Sequence, residues 1–408
     1  MKSILLAATF AAILPAYATA DNRELTYEEV AREALSHGPE SARIGATLAE
    51  RAAEAFSVKV KENPSLNLDV EAPIDRPTSS REDTGVSLAI SQAIRPSDFG
   101  QRGEVAQLIQ ETGDSEQVLA LNELLASLTI SYARTWQFQE MELLLKDARA
   151  RVSKILKRVT AQGTQGAFGE GDIELLRAEL ESFEADGVAA RGDFNRSLAE
   201  LIRTTGAPFV NRVLRRPAAA PVISREALER LVRESRLPVQ KRFQLLKELS
   251  RKRLEVSRLD SFPAISPRLG YSHHDDGTDQ VVAGFSIPLP VFNRNQAEKL
   301  RAEGDLAIAE QGERYATSDA IVTEALALYD AADDTRRQVE IFDTKVVPSR
   351  RRAVEAYYRQ FEAGAASAFQ LWQAQRELND SRRRSLELTV TLADAQAKLS
   401  TLIGQPQF

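Results

Sequence analysis

Apolar and polar residues alternate without interruption through Pro64-Ser-Leu-Asn-Leu-Asp-Val-Glu-Ala-Pro73. Leu66, Leu68, Val70 and Ala72 fall on one face, and Ser65, Asn67, Asp69 and Glu71 on the other. A period of two is that of a β-strand, and one wholly apolar face opposite a polar one suits a strand between lipid and water. Thr84-Gly-Val-Ser-Leu-Ala-Ile-Ser-Gln-Ala93 follows, and about 200 positions later the pattern returns in Pro263-Ala-Ile-Ser-Pro-Arg-Leu-Gly-Tyr-Ser272 and Gln280-Val-Val-Ala-Gly-Phe-Ser-Ile-Pro-Leu289. Each run has roughly the 9 to 11 residues that a tilted strand needs to cross a bilayer. Two membrane-type β-hairpins, residues 64–94 and 263–290, are therefore expected inside an otherwise helical chain.

The rest of the chain repeats in the same way. Thr26-Tyr-Glu-Glu29 is a capping box that opens a helix running to about Val60, interrupted near His37-Gly38-Pro39; Ser224 opens the second half, and Leu237-Pro238 interrupts it at the matching place. Arg216-Pro-Ala-Ala-Ala-Pro-Val222 reads as a linker. Each hairpin leads into one long helical stretch, about Arg102 to Thr160 and Asn295 to Gln360, each approaching ~90 to 100 Å at ~1.5 Å per residue. Both break at glycine-bearing turns, Gly166-Ala-Phe-Gly-Glu-Gly-Asp172 and Gly364-Ala-Ala-Ser-Ala-Phe-Gln370, and return. In the second return, Leu371, Ala374, Leu378, Ser381, Ser385, Leu388, Leu392, Ala395, Leu399 and Leu402 alternate steps of three and four, a coiled-coil seam. The offset of 198 between Gly166 and Gly364 maps it onto Ile173, Leu176, Leu180, Phe183, Gly187, Ala190, Phe194, Ser197 and Leu201. The small and polar members suit close helix packing in a curved wall better than a solid core. A plain intramolecular bundle accounts for the seams but leaves the strands unexplained. A duplicated membrane hairpin between very long helices points to a channel.

Composition narrows this little further. The 408 residues carry 27% charged and 6% aromatic side chains and a net charge of −6, with both signs interspersed, so no basic field for nucleic acid exists. Residues 1–20, with a basic start, an apolar middle and Ala18-Thr19-Ala20, read as a secretory signal, which would leave Asp21 as the mature start. Cysteine is absent, which excludes disulfides, thiolate metal sites and a lipidated N-terminal cysteine.

Taken in order, these pieces resemble the TolC family of outer-membrane factors over essentially the whole chain after residue 20. The telling segments are the paired hairpins, Phe285-Ser-Ile-Pro-Leu-Pro-Val-Phe-Asn-Arg-Asn-Gln296, and Tyr358, Phe361, Gly364 and Ser367 leading into Leu371-Trp-Gln-Ala-Gln375. The passage from Ser286 is most similar to that of the cobalt-zinc-cadmium (heavy-metal RND) subfamily. In it Pro288 and Pro290 would end strand pairing and Asn293 could cap the following helix. The resemblance implies a mainly α fold with membrane β: long antiparallel helical hairpins forming a trimeric α-barrel, and four strands per protomer in a shared outer-membrane β-barrel. It implies a homotrimer in the outer membrane of a Gram-negative bacterium with a large periplasmic portion, in contact with outer-membrane lipid, a periplasmic adaptor (membrane fusion protein) and an inner-membrane RND pump. The implied organisation is a signal peptide (1–20), a first structural repeat (21–206), a linker in the equatorial region (207–223) and a second repeat (224–408). Residues from about Ala207 to Val256, with both chain ends, would form a belt around the helices. The implied role is a passive duct for divalent heavy-metal cations; drug efflux, type I protein secretion and a periplasm-spanning scaffold are the alternatives.

Asp172, Gln370 and Gln373 match the family's acidic periplasmic aperture, two of them with amides in place of carboxylates. Gly166, Gly169, Gly364 and Ser367 are the candidate adaptor-docking turns. His273-His274-Asp275-Asp276 has metal-ligand chemistry but falls where a solvated extracellular turn is expected. Arg350-Arg-Arg352 and Arg382-Arg-Arg384 read as solvated helix faces or as channel lining. No catalytic arrangement or phosphate-binding loop occurs in the sequence, so neither catalysis nor a cofactor is expected.

Overall fold

The computed structural model describes residues 24–71, 84–162, 170–209, 212–218, 223–275 and 277–404. The signal segment and most of the first glycine turn lie outside the described residues. Helices α1 (Tyr27–His37) and α2 (Pro39–Lys59) lead to β1 (Ser65–Glu71) and β2 (Gly85–Ser91), then to α3 (Gln101–Gln162) and α4 (Glu170–Thr205). The same order follows with α5 (Arg225–Arg233), α6 (Pro238–Leu259), β3 (Ser266–His274), β4 (Asp279–Ser286), α7 (Gln296–Ala316), α8 (Asp319–Ile341), α9 (Val347–Glu362) and α10 (Ala368–Ile403). Thr26 caps α1 through a capping box: its Oγ1 accepts from the Glu29 N–H at 3.3 Å and its own N–H donates to the Glu29 carboxylate at 3.2 Å. Pro39 and Pro238 begin α2 and α6, where a missing N–H costs nothing.

The 62 residues of α3 form one uninterrupted helix, about 93 Å long at ~1.5 Å per residue. Its counterpart is not continuous, contrary to the single stretch expected from Asn295 to Gln360. It breaks at Thr317, where Ser318 caps α8, and again in a π-turn over Phe342–Val346. Both interruptions have local causes. The buried Gln240 side chain donates to the Ala316 carbonyl at 2.8 Å and the Val232 carbonyl at 3.0 Å, while its oxygen accepts from the Leu237 N–H at 3.0 Å. One amide thus closes the ends of α5 and α7 and the start of α6. Pro348 cannot complete the ladder, and the chain relaxes just before it into a wider turn in which the Val347 N–H reaches the Phe342 carbonyl.

The α10 seam is largely buried, at Leu371, Leu378, Ser381, Ser385, Leu388, Leu392 and Leu399, whereas in α4 only Leu176, Ala190 and Leu201 are buried and the other six members are half-buried. Their polar members find partners, Ser385 Oγ on Asp343 at 2.6 Å and Ser197 Oγ with Thr135 Oγ1 at 2.7 Å. Beside the middle of α3, the segment at Leu25 pairs with residues 212–218. The Leu25 N–H donates to the Val213 carbonyl at 2.7 Å and the Arg215 N–H to the Leu25 carbonyl at 3.0 Å. The Tyr132 hydroxyl, on α3, lies 2.7 Å from the carbonyl oxygens of both Leu25 and Arg215.

Tyr27 stands edge-on to Tyr132 with ring centroids 5.7 Å apart, and burial is the main reason both phenols are harder to ionise, Tyr27 rising from 10.0 to about 12 and Tyr132 also upward. A folded-state pKa above the unfolded one means stability that is present below pH about 10 and lost as pH rises towards about 12. Melting temperature is therefore expected to fall across that alkaline window, and to fall less in a Tyr27→Phe/Tyr132→Phe double variant. At neutral pH, Tyr132→Phe alone should cost about 1–3 kcal/mol, because it removes the hydroxyl donor that serves the buried Leu25 carbonyl.

Candidate functional site

The four strands form one antiparallel sheet in the order β1-β2-β3-β4. Residues directly opposite one another share a face, so the register sorts every side chain. One face carries the rows Leu66-Ile90-Leu269-Ala283 and Leu68-Leu88-Tyr271-Val281, with Phe285 beyond them. The other carries Asn67-Ala89-Gly270-Val282 and Asp69-Ser87-Ser272-Gln280, with Ser286 at the end. Large apolar side chains on the first face are uncovered, Leu66 67%, Leu68 66%, Val281 74% and Phe285 75% exposed. The polar face is tighter: Ala89 and Ser272 are buried, Asn67 donates to Ser91 Oγ at 3.2 Å, and an Arg268–Asp69 ion pair crosses β2 above Ala89. The strands span 7, 7, 9 and 8 residues, shorter than the ten-residue runs, but the Ile94–Ile265 bridge and a Gln92 N–H to Pro267 carbonyl bond at 3.3 Å continue the pairing.

At the membrane-to-helix passage, Asn293 is not the helix cap. Asn295 holds that position in the left-handed conformation at φ 59°, which Asn tolerates. Its amide donates to the Ser257 carbonyl on α6 at 2.9 Å, and Asn293 instead accepts from the Asn295 N–H at 3.0 Å. Beside it lies a polar cluster the sequence reading missed. Arg102, at the start of α3, donates to Ser97 Oγ at 2.8 Å and to Asp260 at 2.6 Å, and its Nε is 3.5 Å from the Asp98 carboxylate. Arg95 supports Asp98 from the other side, its N–H donating at 3.0 Å. Phe99 and Phe262, close in sequence to Asp98 and Asp260, are largely uncovered, as are Leu289 and Phe292 between β4 and α7.

The histidines do not converge. His273 and His274 are successive strand residues on opposite faces: His273 Nδ1 meets Asp279 at 2.7 Å on the apolar side, and His274 Nε2 lies 3.2 Å from Ser272 Oγ on the polar side. Asp275 is bound by the Thr84 hydroxyl, and Asp276 lies outside the described residues. Among the described residues no three His, Cys, Asp or Glu side chains assemble a metal cage.

At the opposite pole, Gly364 ends α9 at φ 74°, and Ser367 and Gln370 form a reciprocal capping box for α10, bonded at 3.0 and 3.2 Å. Gln370 therefore has a structural role in addition to any at an aperture, and Gln373 is exposed. Asp172 lies in the first turn of α4, and Gly166 and Gly169 lie outside the described residues. The two turns share one end of the molecule, since Ile173 and Leu176 pack in a cluster with Phe361, Ala368, Leu371 and Trp372. Arg350 and the second arginine run are helix-surface residues with partners: Arg350 with Glu377, Arg382 with Asp147 at 3.1 Å, Arg383 with Asp186 and Arg384 with Glu387. Burial pushes the Asp147 carboxyl up, and Arg151 and Arg382 more than reverse it, so it stays ionised between α3 and α10.

Residues 216–405 match the family described as Outer membrane efflux protein. That span is just under half of the chain. Over 262 residues the chain is 24% identical to the cobalt-zinc-cadmium resistance protein CzcC of Cupriavidus metallidurans, a match spanning 64% of this chain and 62% of that relative. Its fold is that of solved TolC-like channels. CusC superposes with a TM-score of 0.69 at 17% identity over 93% of this chain and 92% of the other, and VceC of Vibrio cholerae with 0.73 at 14% over 93% and 96%. CmeC of Campylobacter jejuni gives 0.71 at 16% over 93% and 85%. The matched family and the neighbour VceC are both described as outer-membrane proteins. Among the described residues no helix is long and apolar enough to cross a membrane.

Proposed function

We propose that three copies of this chain form a passive outer-membrane duct, in which the four-stranded sheet is one third of a closed β-barrel and the long helices extend it through the periplasm. The observation that carries this reading is a sheet whose apolar face is uncovered and whose edges, β1 and β4, are unpaired within the described chain. Open edges cannot face hydrocarbon, because no water is there to satisfy their N–H and C=O groups. Pairing β1 with β4 of the next copy removes all of them. On this reading the polar face lines the lumen and the two element series derive from an internal duplication. Heat-dependent migration of the extracted protein and conductance in planar bilayers test it: a monomer in mild detergent, or a non-conducting trimer, would remove it.

The cargo proposed is divalent heavy-metal cations, supported by the likeness to CzcC, delivered by an inner-membrane RND pump through a periplasmic adaptor. Deleting the gene should sensitise cells to zinc, cobalt or cadmium; sensitivity to drugs alone would favour drug efflux. Asp172, Gln370 and Gln373 would narrow the periplasmic mouth, and the turns containing Gly166, Gly169, Gly364 and Ser367 would dock the adaptor. Gly364→Arg should abolish export and adaptor crosslinking while trimers still form. Because φ 74° itself disfavours side chains, Gly364→Asn serves as control, since Asn tolerates that conformation. Normal export by the Arg variant would sink the docking assignment, and equal loss in both variants would make Gly364 purely structural.

A further inference from the structure

The register places Glu71, Gly85 and His274 in one row across β1, β2 and β3, on the polar face. Three features make this row different from the rest of the sheet. First, the imidazole of His274 lies over Gly85: a Cβ built there would sit 2.5 Å from Nδ1 and 2.7 Å from Cε1, so only glycine leaves the ring its seat. The ring consequently leans from β3 across β2 towards β1, whose Cα is about 9.6 Å away at two strand spacings. Second, Nε2 is 3.2 Å from Ser272 Oγ. In the tautomer that carries its proton on Nε2, this nitrogen donates to Ser272 and holds the ring, leaving the Nδ1 lone pair over the glycine, directed by a hydroxyl as outer-shell partners direct metal-binding imidazoles. Third, the two carboxylates of this face in β1 differ. Asp69 is neutralised by Arg268, whereas Glu71 has no ion pair among the described residues.

We propose that Glu71 and His274 form a two-donor contact for a divalent cation of the zinc or cobalt class at the outer end of the lumen. An imidazole nitrogen and a carboxylate oxygen suit such ions. Two protein donors leave the remaining coordination positions to water, which makes the contact exchangeable, as conduction requires of any site along a pore. His273, one residue away, belongs to the opposite face and takes no part. That the polar face is the lumen rests on the duct reading; the cation contact itself does not.

Zinc chloride alone, titrated calorimetrically against the purified full-length protein in detergent, tests this. Wild-type protein should bind zinc in the micromolar-to-millimolar range. His274→Ala and Glu71→Gln should each weaken it by about tenfold or more, while His273→Ala and His37→Ala leave it unchanged. Ser272→Ala, which removes the ring's partner, should weaken it about tenfold without altering the fold by circular dichroism. No binding by the wild type, or unchanged binding after His274→Ala, overturns the proposal. Equal loss from His273→Ala and His274→Ala overturns it too, because it would move the site to the turn between β3 and β4. Zinc binding that survives in a protein without conductance would remove the duct reading and leave the contact standing.

Discussion

Leu68→Arg is expected to prevent stable insertion, with a loss on the order of 2–4 kcal/mol if the position lies near the bilayer midplane. Leu68 is the middle residue of β1, two thirds exposed, and stands in a row with Leu88, Tyr271 and Val281 on the face that carries every large apolar side chain of β1 and β2. A guanidinium there has no partner on its own strand or the next. Asn67→Arg, one residue away, places the same charge on the face that already holds Arg268 and Asp69, and should mainly change conductance. Urea titration of the protein in vesicles measures the first effect and single-channel recording the second. Equal assembly defects from both substitutions would mean that the two faces are not lipid and lumen.

This asymmetry was legible in the sequence because a strand has a period of two and tolerates no slip: once Leu66 is assigned outward, Asn67 must point inward. The same parity also separates His273 from His274, and it removes the reading of these residues as a single cluster. The seam from Leu371 to Leu402 was legible for a similar reason, since steps of three and four are a property of one helix. Ser367 and Gln370 carry a readable signal too, the Ser-x-x-Gln spacing of a capping box. What local pattern does not encode is a bond between distant segments. Gln240 closes α7 across 76 positions, and nothing near Thr317 announces that the helix must stop there. Arg102 meets Asp260 across 158 positions. The spacing of Arg95, Asp98 and Arg102 hints at a cluster on one turn, but the partner that makes it a junction lies 158 positions away in the second half of the chain.

That junction yields the second large effect. Arg102→Met is expected to destabilise the protein by about 3 kcal/mol or more, because it leaves two mostly buried carboxylates without their shared cation, and breaking such a pair by removing one side costs about 3–5 kcal/mol. The Asp98 side chain is 4% exposed and that of Asp260 19%, so water cannot take over the lost interactions. Arg95 reaches only Asp98, at 3.5 Å, and is already shared with Glu62. Adding Asp260→Asn to Arg102→Met should recover part of the loss, since it removes one of the stranded charges. A double-mutant cycle on melting temperature measures this coupling. Arg102 joins the start of α3 to the end of α6, directly below β2 and β3, so weakening it loosens the angle between the sheet and the helices. Conductance of the single variant should therefore become noisier as well. If Arg102→Met melts like the wild type, or if the double variant is as unstable as the sum of its parts, the cluster is only a surface network and the passage from strand to helix is held by the Asn295 bond to Ser257.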